Sequence, residues 1–119
     1  MEKYDDWNKK WTSTGTWICT PIIETLYDGH SIDIIDFNGD GHLDIFSAEM
    51  RLNPNNPGNI RILLGNGKGQ FKYEIVATDI GSHESKIIDI DGDGDYDIVS
   101  KPYNWDAPRL DVFINTTKK

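Results

Sequence analysis

The chain has 119 residues, enough for one domain with a modest core, and its twenty acidic against twelve basic residues give a formal net charge of −8. That balance excludes the clustered Lys and Arg that phosphate binding needs, and with it nucleic acid as a partner; it suits cations instead. No apolar run approaches the ~18 residues of a membrane span, and the opening "MEKYDDWNKKW" has no apolar segment of signal-peptide type.

In chain order, the first predicted element is a strand over "GTWICTPII", Gly15 to Ile23, preceded by Trp7 and Trp11. These tryptophans and Trp17 read as packing residues of a leading segment. The single cysteine, Cys19, excludes an internal disulfide framework and reads as a small buried hydrophobe. Short apolar runs follow at Ile32 to Phe37, Leu43 to Ala48 and Ile60 to Leu64, then "KYEIVAT" after a Gly-rich turn, then Ile87 to Ile90, "DIVS" and "RLDVFINT". The runs are β-branched or aromatic, and Gly and Pro interrupt the chain too often for helices of ten residues or more. Eight strands result: one leading, four in a first unit and three in a second.

The units are copies of one another. "HSIDIIDFNGDGHLDIFS", His30 to Ser47, aligns without gaps on "HESKIIDIDGDGDYDIVS", His83 to Ser100, at an offset of 53 residues. "NIRILLGN", Asn59 to Asn66, matches "RLDVFINT", Arg109 to Thr116, more loosely. The boundaries are residues 1–29 for the leading segment, 30–82 for the first unit and 83–119 for the second.

Within each copy, oxygen-bearing side chains alternate along a tight loop. Asp36, Asn38 and Asp40 fall at positions 1, 3 and 5, His42 at 7 and Asp44 at 9; Asp89, Asp91, Asp93, Asp95 and Asp97 repeat the pattern. A cation of calcium size takes six to eight oxygens at about 2.3 to 2.6 Å, and alternate ligands in a sharp loop supply them. Position 7 would serve through its backbone carbonyl, so His42 and Asp95 can differ. Gly41 and Gly94 at position 6 permit the turn. Two calcium sites follow, with three carboxylates in the first and four in the second, and two bound ions would halve the net charge. A solvated Asp/Gly turn would not repeat its spacing. An EF-hand-like loop needs an acidic twelfth residue and a following helix, whereas Ser47 or Ser100 stands there and a strand follows.

"DFNGDGHLDIF" and "DIDGDGDYDIV" resemble the calcium loops of FG-GAP/VCBS repeats over roughly Gly29 to Asn115. The resemblance implies an all-β fold of about two four-stranded antiparallel β-propeller blades, the calcium loop joining the first two strands of each. Propellers usually have four to eight blades. Two leave open sheet edges that invite pairing. The chain is therefore expected to be a fragment of a larger propeller or a homo-oligomer that completes one, the leading strand filling the three-stranded blade of a neighbour.

Other candidates lie outside the loops. His30 and His83 are equivalent, six residues before the first ligand, and read as braces for the loop or as ligand-binding residues. "KPYNWDAPR" combines Lys101, Tyr103, Asn104, Trp105, Asp106 and Arg109, a set suited to stacking on a sugar face and bonding its hydroxyls; burial of Trp105 is the alternative. The first copy offers Glu49, Arg51, Asn53, Asn55 and Asn56 at the matching place, without the aromatics. The function expected is a calcium-stabilised, noncatalytic binding module for polysaccharide or protein outside the cell, where free calcium is abundant. A propeller-type polysaccharide lyase using His83, Tyr103 and Arg109 is the enzymatic alternative, and a purely structural fragment a third. "NTT" at Asn115 is a formal glycosylation sequon.

Overall fold

The computed structural model describes residues 17–102 and 108–117. Seven strands run through them: β1 (Gly29–Ile35), β2 (Asp44–Glu49), β3 (Ile60–Gly65), β4 (Phe71–Ala77), β5 (Glu84–Ile88), β6 (Asp97–Lys101) and β7 (Asp111–Phe113). They form two antiparallel sheets of neighbouring strands, β1-β2-β3-β4 and β5-β6-β7. Among the described residues no helix is long and apolar enough to cross a membrane.

The predicted leading strand does not form among the described residues. Residues 17–23 of it are irregular, and Gly15 and Thr16 lie outside the described residues. The segment instead approaches the first sheet's outermost strand, where the Tyr73 hydroxyl donates to the Ile22 carbonyl at 2.8 Å. Cys19 and Trp17 are exposed rather than buried, because no sheet face covers them. Trp7 and Trp11 lie outside the described residues. The first inner strand also ends earlier than its apolar run, since Asp36 and Phe37 turn into the loop.

The registers assign the faces. Ile35 with Asp44, and Phe46 with Ile62, put β1, β2 and β3 side chains on one face of the first sheet; Ile34, Ile45, Leu63 and Tyr73 share the other. In the second sheet Ile87, Ile98 and Phe113 share one face, Val99 and Val112 the opposite one. The core lies between the sheets: Phe37, Phe46, Ala48 and Ile60 pack with Ile98, while Ile35, Ile62, Val76, Ile87 and Phe113 close around them. Each fully buried aliphatic or aromatic side chain there contributes about 1.5–3 kcal/mol. Phe37 sits at the junction, 6.5 Å from Phe46 and edge-on to Tyr96 at 6.4 Å between ring centroids.

Two polar devices brace the first sheet. Glu49 and Arg61 are both buried and paired, Arg61 Nη2 donating to Glu49 Oε1, while Glu49 Oε2 accepts the Asn59 amide at 3.1 Å. Arg51 gathers its loop by donating to the carbonyls of Asn56, Pro54 and Asp79 at 2.9–3.1 Å. The close approach there requires glycine: Gly58 and Gly81 have positive φ, and a Cβ on Gly58 would stand 2.8 Å from the Gly81 nitrogen.

Candidate metal centre

The loops between β1 and β2 and between β5 and β6 are the same structure twice. Asp36 accepts three backbone amides, Gly39 (2.9 Å) and Asp40 (3.2 Å) on Oδ1 and Gly41 (2.9 Å) on Oδ2. Asp89 accepts Gly92 (2.8 Å), Asp93 (3.1 Å) and Gly94 (2.9 Å) on the corresponding oxygens. A carboxylate at the mouth of a turn can hold successive N–H groups only where the backbone bends sharply. Gly41 and Gly94 provide the bend with φ of 88° and 93°, a region that a Cβ disfavours.

The next positions repeat as well. Asn38 Oδ1 accepts the Asp40 amide and Asp91 Oδ1 the Asp93 amide, both at 3.3 Å. Asp40 Oδ1 takes the amide of His42 at 2.8 Å, and Asp93 Oδ1 that of Asp95 at 2.9 Å. His42 lies with its imidazole over Gly67, where a Cβ would stand 2.6 Å from Nδ1. Asp95 is buried.

Asp44 and Asp97 anchor each loop to the sheet behind it. Asp44 accepts the Phe37 and Gly65 amides, both at 2.8 Å, and Asp97 those of Ile90 (3.0 Å) and Asn115 (2.8 Å). Both carboxylates are buried, at 0% and 1% exposure. The position-9 acid is therefore a clasp across three strands, a role that loop spacing alone did not reveal.

Asp89, Asp91 and Asp97 bring one carboxylate oxygen each within 4.8 Å of one another, so this cluster could hold a metal ion. The spacing fits the donor set: a cation with oxygens at about 2.3–2.6 Å separates them by no more than about 5 Å. Carboxylate oxygens that already accept one amide keep lone pairs for a further partner. In the first loop Asn38 replaces Asp91, leaving one carboxylate fewer.

His83 stacks on His30, ring centroids 4.7 Å apart and tilted by 33°, so the two copies touch through these equivalent residues. Lys101 Nζ donates to the Pro102 carbonyl at 2.9 Å. Arg109 forks onto Asp111, Nε to Oδ1 at 2.8 Å and Nη2 to Oδ2 at 3.3 Å, and this carboxylate raises the guanidinium pKa further. Tyr103, Asn104, Trp105 and Asp106 lie outside the described residues. In the first copy Glu49 is buried against Arg61, which removes it from a sugar-binding surface, and Arg51 donates to the carbonyls of its own loop. Period-two alternation could have signalled the pair, since Glu49 lies two residues beyond Ser47, the register partner of Arg61.

No curated protein and no solved structure matches the chain. The family model for the FG-GAP-like repeat matches residues 36–100, from Asp36 at the head of one loop to Ser100 in the strand after the other. That span covers more than half of the chain, and it contains both loops with their hydrogen-bond patterns: the protein belongs to the FG-GAP-like repeat family.

Proposed function

We propose that the chain is a noncatalytic β-propeller-type binding module whose two loops take calcium. The observation that carries this reading is the convergence of Asp89, Asp91 and Asp97 oxygens within 4.8 Å, in a loop whose hydrogen bonds recur one for one in the other copy. Asp36, Asn38, Asp40 and Asp44, with the His42 carbonyl, would hold the first ion; Asp89, Asp91, Asp93 and Asp97, with the Asp95 carbonyl, the second. A bound divalent cation supplies positive charge that offsets the mutual repulsion of these carboxylates. The chain's own residues shape the cradle: loop amides orient the position-1 carboxylate, and the buried clasp fixes the position-9 carboxylate against the sheet.

The partner we propose is a polysaccharide or a protein outside the cell, where calcium is abundant enough to fill such loops. Calorimetric titration with calcium, followed by thermal melting with and without chelator, tests the metal reading. Two binding events and a chelator-dependent drop in Tm are expected; no heat and an unchanged melting curve would sink it. Incubation with anionic polysaccharides tests the noncatalytic reading, since growth of ultraviolet absorbance from unsaturated products would mark a lyase instead.

A further inference from the structure

We propose that copies of this chain stack head to tail, the outer face of the three-stranded sheet of one copy lying on the outer face of the four-stranded sheet of the next. The contact inside the chain is between unlike faces of two equivalent sheets. The equivalence is fixed by structure as well as sequence, since Asp44 holds the Gly65 amide where Asp97 holds that of Asn115. The first sheet buries Ile35, Phe37, Ile60 and Ile62 against the second. The same positions in the second sheet are Ile88, Ile90, Leu110 and Val112, which are 51%, 49%, 69% and 48% exposed. Conversely, Ile87 of the second sheet packs in the core, and its counterpart Ile34 is 56% exposed. Each sheet thus leaves exposed apolar side chains on the face that its repeat covers; on the first sheet these are Ile32, Ile34, Tyr73 and Ile75 of the two outer strands, while Leu63, the counterpart of Phe113, is buried.

A second copy presents the matching face for each. The docking would continue an interface already built between β1 and β5, and it repeats the polar neighbours at the inner strands. His83 would meet the partner copy's counterpart of His30, as the two rings meet within the chain at 4.7 Å. Lys86 would meet the counterpart of Asp33, whose carboxylate acts favourably on Lys86 within the chain. Opposite charges at equivalent positions alternate along such a stack, so every junction is complementary. Residues 17–28 touch the first sheet's outer face near Tyr73, but Ile32 and Ile34 on β1 remain exposed. A contact between unlike faces propagates and closes only at a fixed number of copies. It uses apolar faces, so assembly and calcium binding can succeed or fail independently.

Light scattering coupled to gel filtration, in calcium-containing buffer, measures the mass of the wild-type chain and of two variants, Ile34→Glu and Val112→Glu. The wild type is expected at a multiple of the monomer mass, and each variant alone as a monomer. An equimolar mixture of the variants should form a one-to-one pair, because one intact face of each kind remains. A monomeric wild type, or assembly that survives both substitutions, would overturn the proposal, as would failure of the mixture to pair while both variants keep the wild-type circular dichroism and melting curve. Ile32→Glu and Leu110→Glu repeat the test should either first variant lose its fold.

Discussion

Asp97 holds the far end of its own sheet: its Oδ1 accepts the Asn115 amide at 2.8 Å while Oδ2 accepts that of Ile90 at 3.0 Å. One buried carboxylate therefore ties the loop to the residues just after β7. Replacing it with alanine strands two amides, and hydrogen bonds to a charged group are worth about 1.5–3 kcal/mol each. Asp97→Ala is expected to cost about 3–6 kcal/mol, roughly 10–30 °C of Tm, when melting is followed in chelator so that no metal contributes. A loss under about 0.5 kcal/mol, the range of an ordinary surface substitution, would show that the clasp is dispensable.

Calcium should stabilise the fold with the logarithm of its excess over Kd, by about 2.7 kcal/mol per site at a hundredfold excess. The second loop carries one more carboxylate and should bind more tightly. Exchanging the position-3 residues tests this directly. Asp91→Asn should weaken the second site on the order of tenfold or more, and Asn38→Asp should strengthen the first, from the added or removed Coulomb term. Equal affinities before and after exchange in a two-site calorimetric titration would contradict the charge argument.

The Glu49–Arg61 pair is buried at both ends, so breaking it leaves a charge without its counter-ion. Glu49→Ala should cost about 3–5 kcal/mol in urea denaturation, whereas a double replacement by Met and Leu should cost far less or nothing. Equal costs for the single and double variants would mean that packing, and not the stranded guanidinium, sets the penalty.

Glu84 lies on the surface beside Lys86, which donates to its carboxylate at 2.9 Å and lowers its pKa below the ordinary 4.5, with Coulomb attraction adding to the effect. Because the folded value is the lower one, the pair favours the folded state above the unfolded pKa, and that contribution disappears as pH falls through the folded value. Carboxyl-detected NMR titration should show the Glu84 midpoint rising toward 4.5 in Lys86→Ala, and also in 1 M salt, since exposed pairs are screened. An unmoved midpoint in the variant would assign the shift to another group.

Much of the fold could be read before any coordinates because repetition removes ambiguity. Two gapless copies placed the β1–β2 and β5–β6 loops, and the glycines at position 6 marked the turns where φ is positive. The inner strands followed from β-branched runs. What escaped was whatever depends on contacts between distant segments. The irregular course of residues 17–23 reflects the absence of a pairing partner, which a β-prone composition does not disclose. Glu49 looked like a polar loop residue until the β2–β3 register placed it beside Arg61. Phe37 looked like strand, yet its amide is claimed by Asp44 and its ring by the junction between sheets.

The amides gathered by Asp36 and Asp89 also bear on the order in which the chain folds. These bonds join residues three to five positions apart, whereas Asp44 and Gly65 are separated by 21. Contacts so local cost little chain entropy and form on the timescale of turns and hairpins, about microseconds. The two loops should therefore set the β1–β2 and β5–β6 hairpins early, leaving β3 and β7 to dock onto them, and the position-1 aspartates should have higher φ-values than the position-9 clasps.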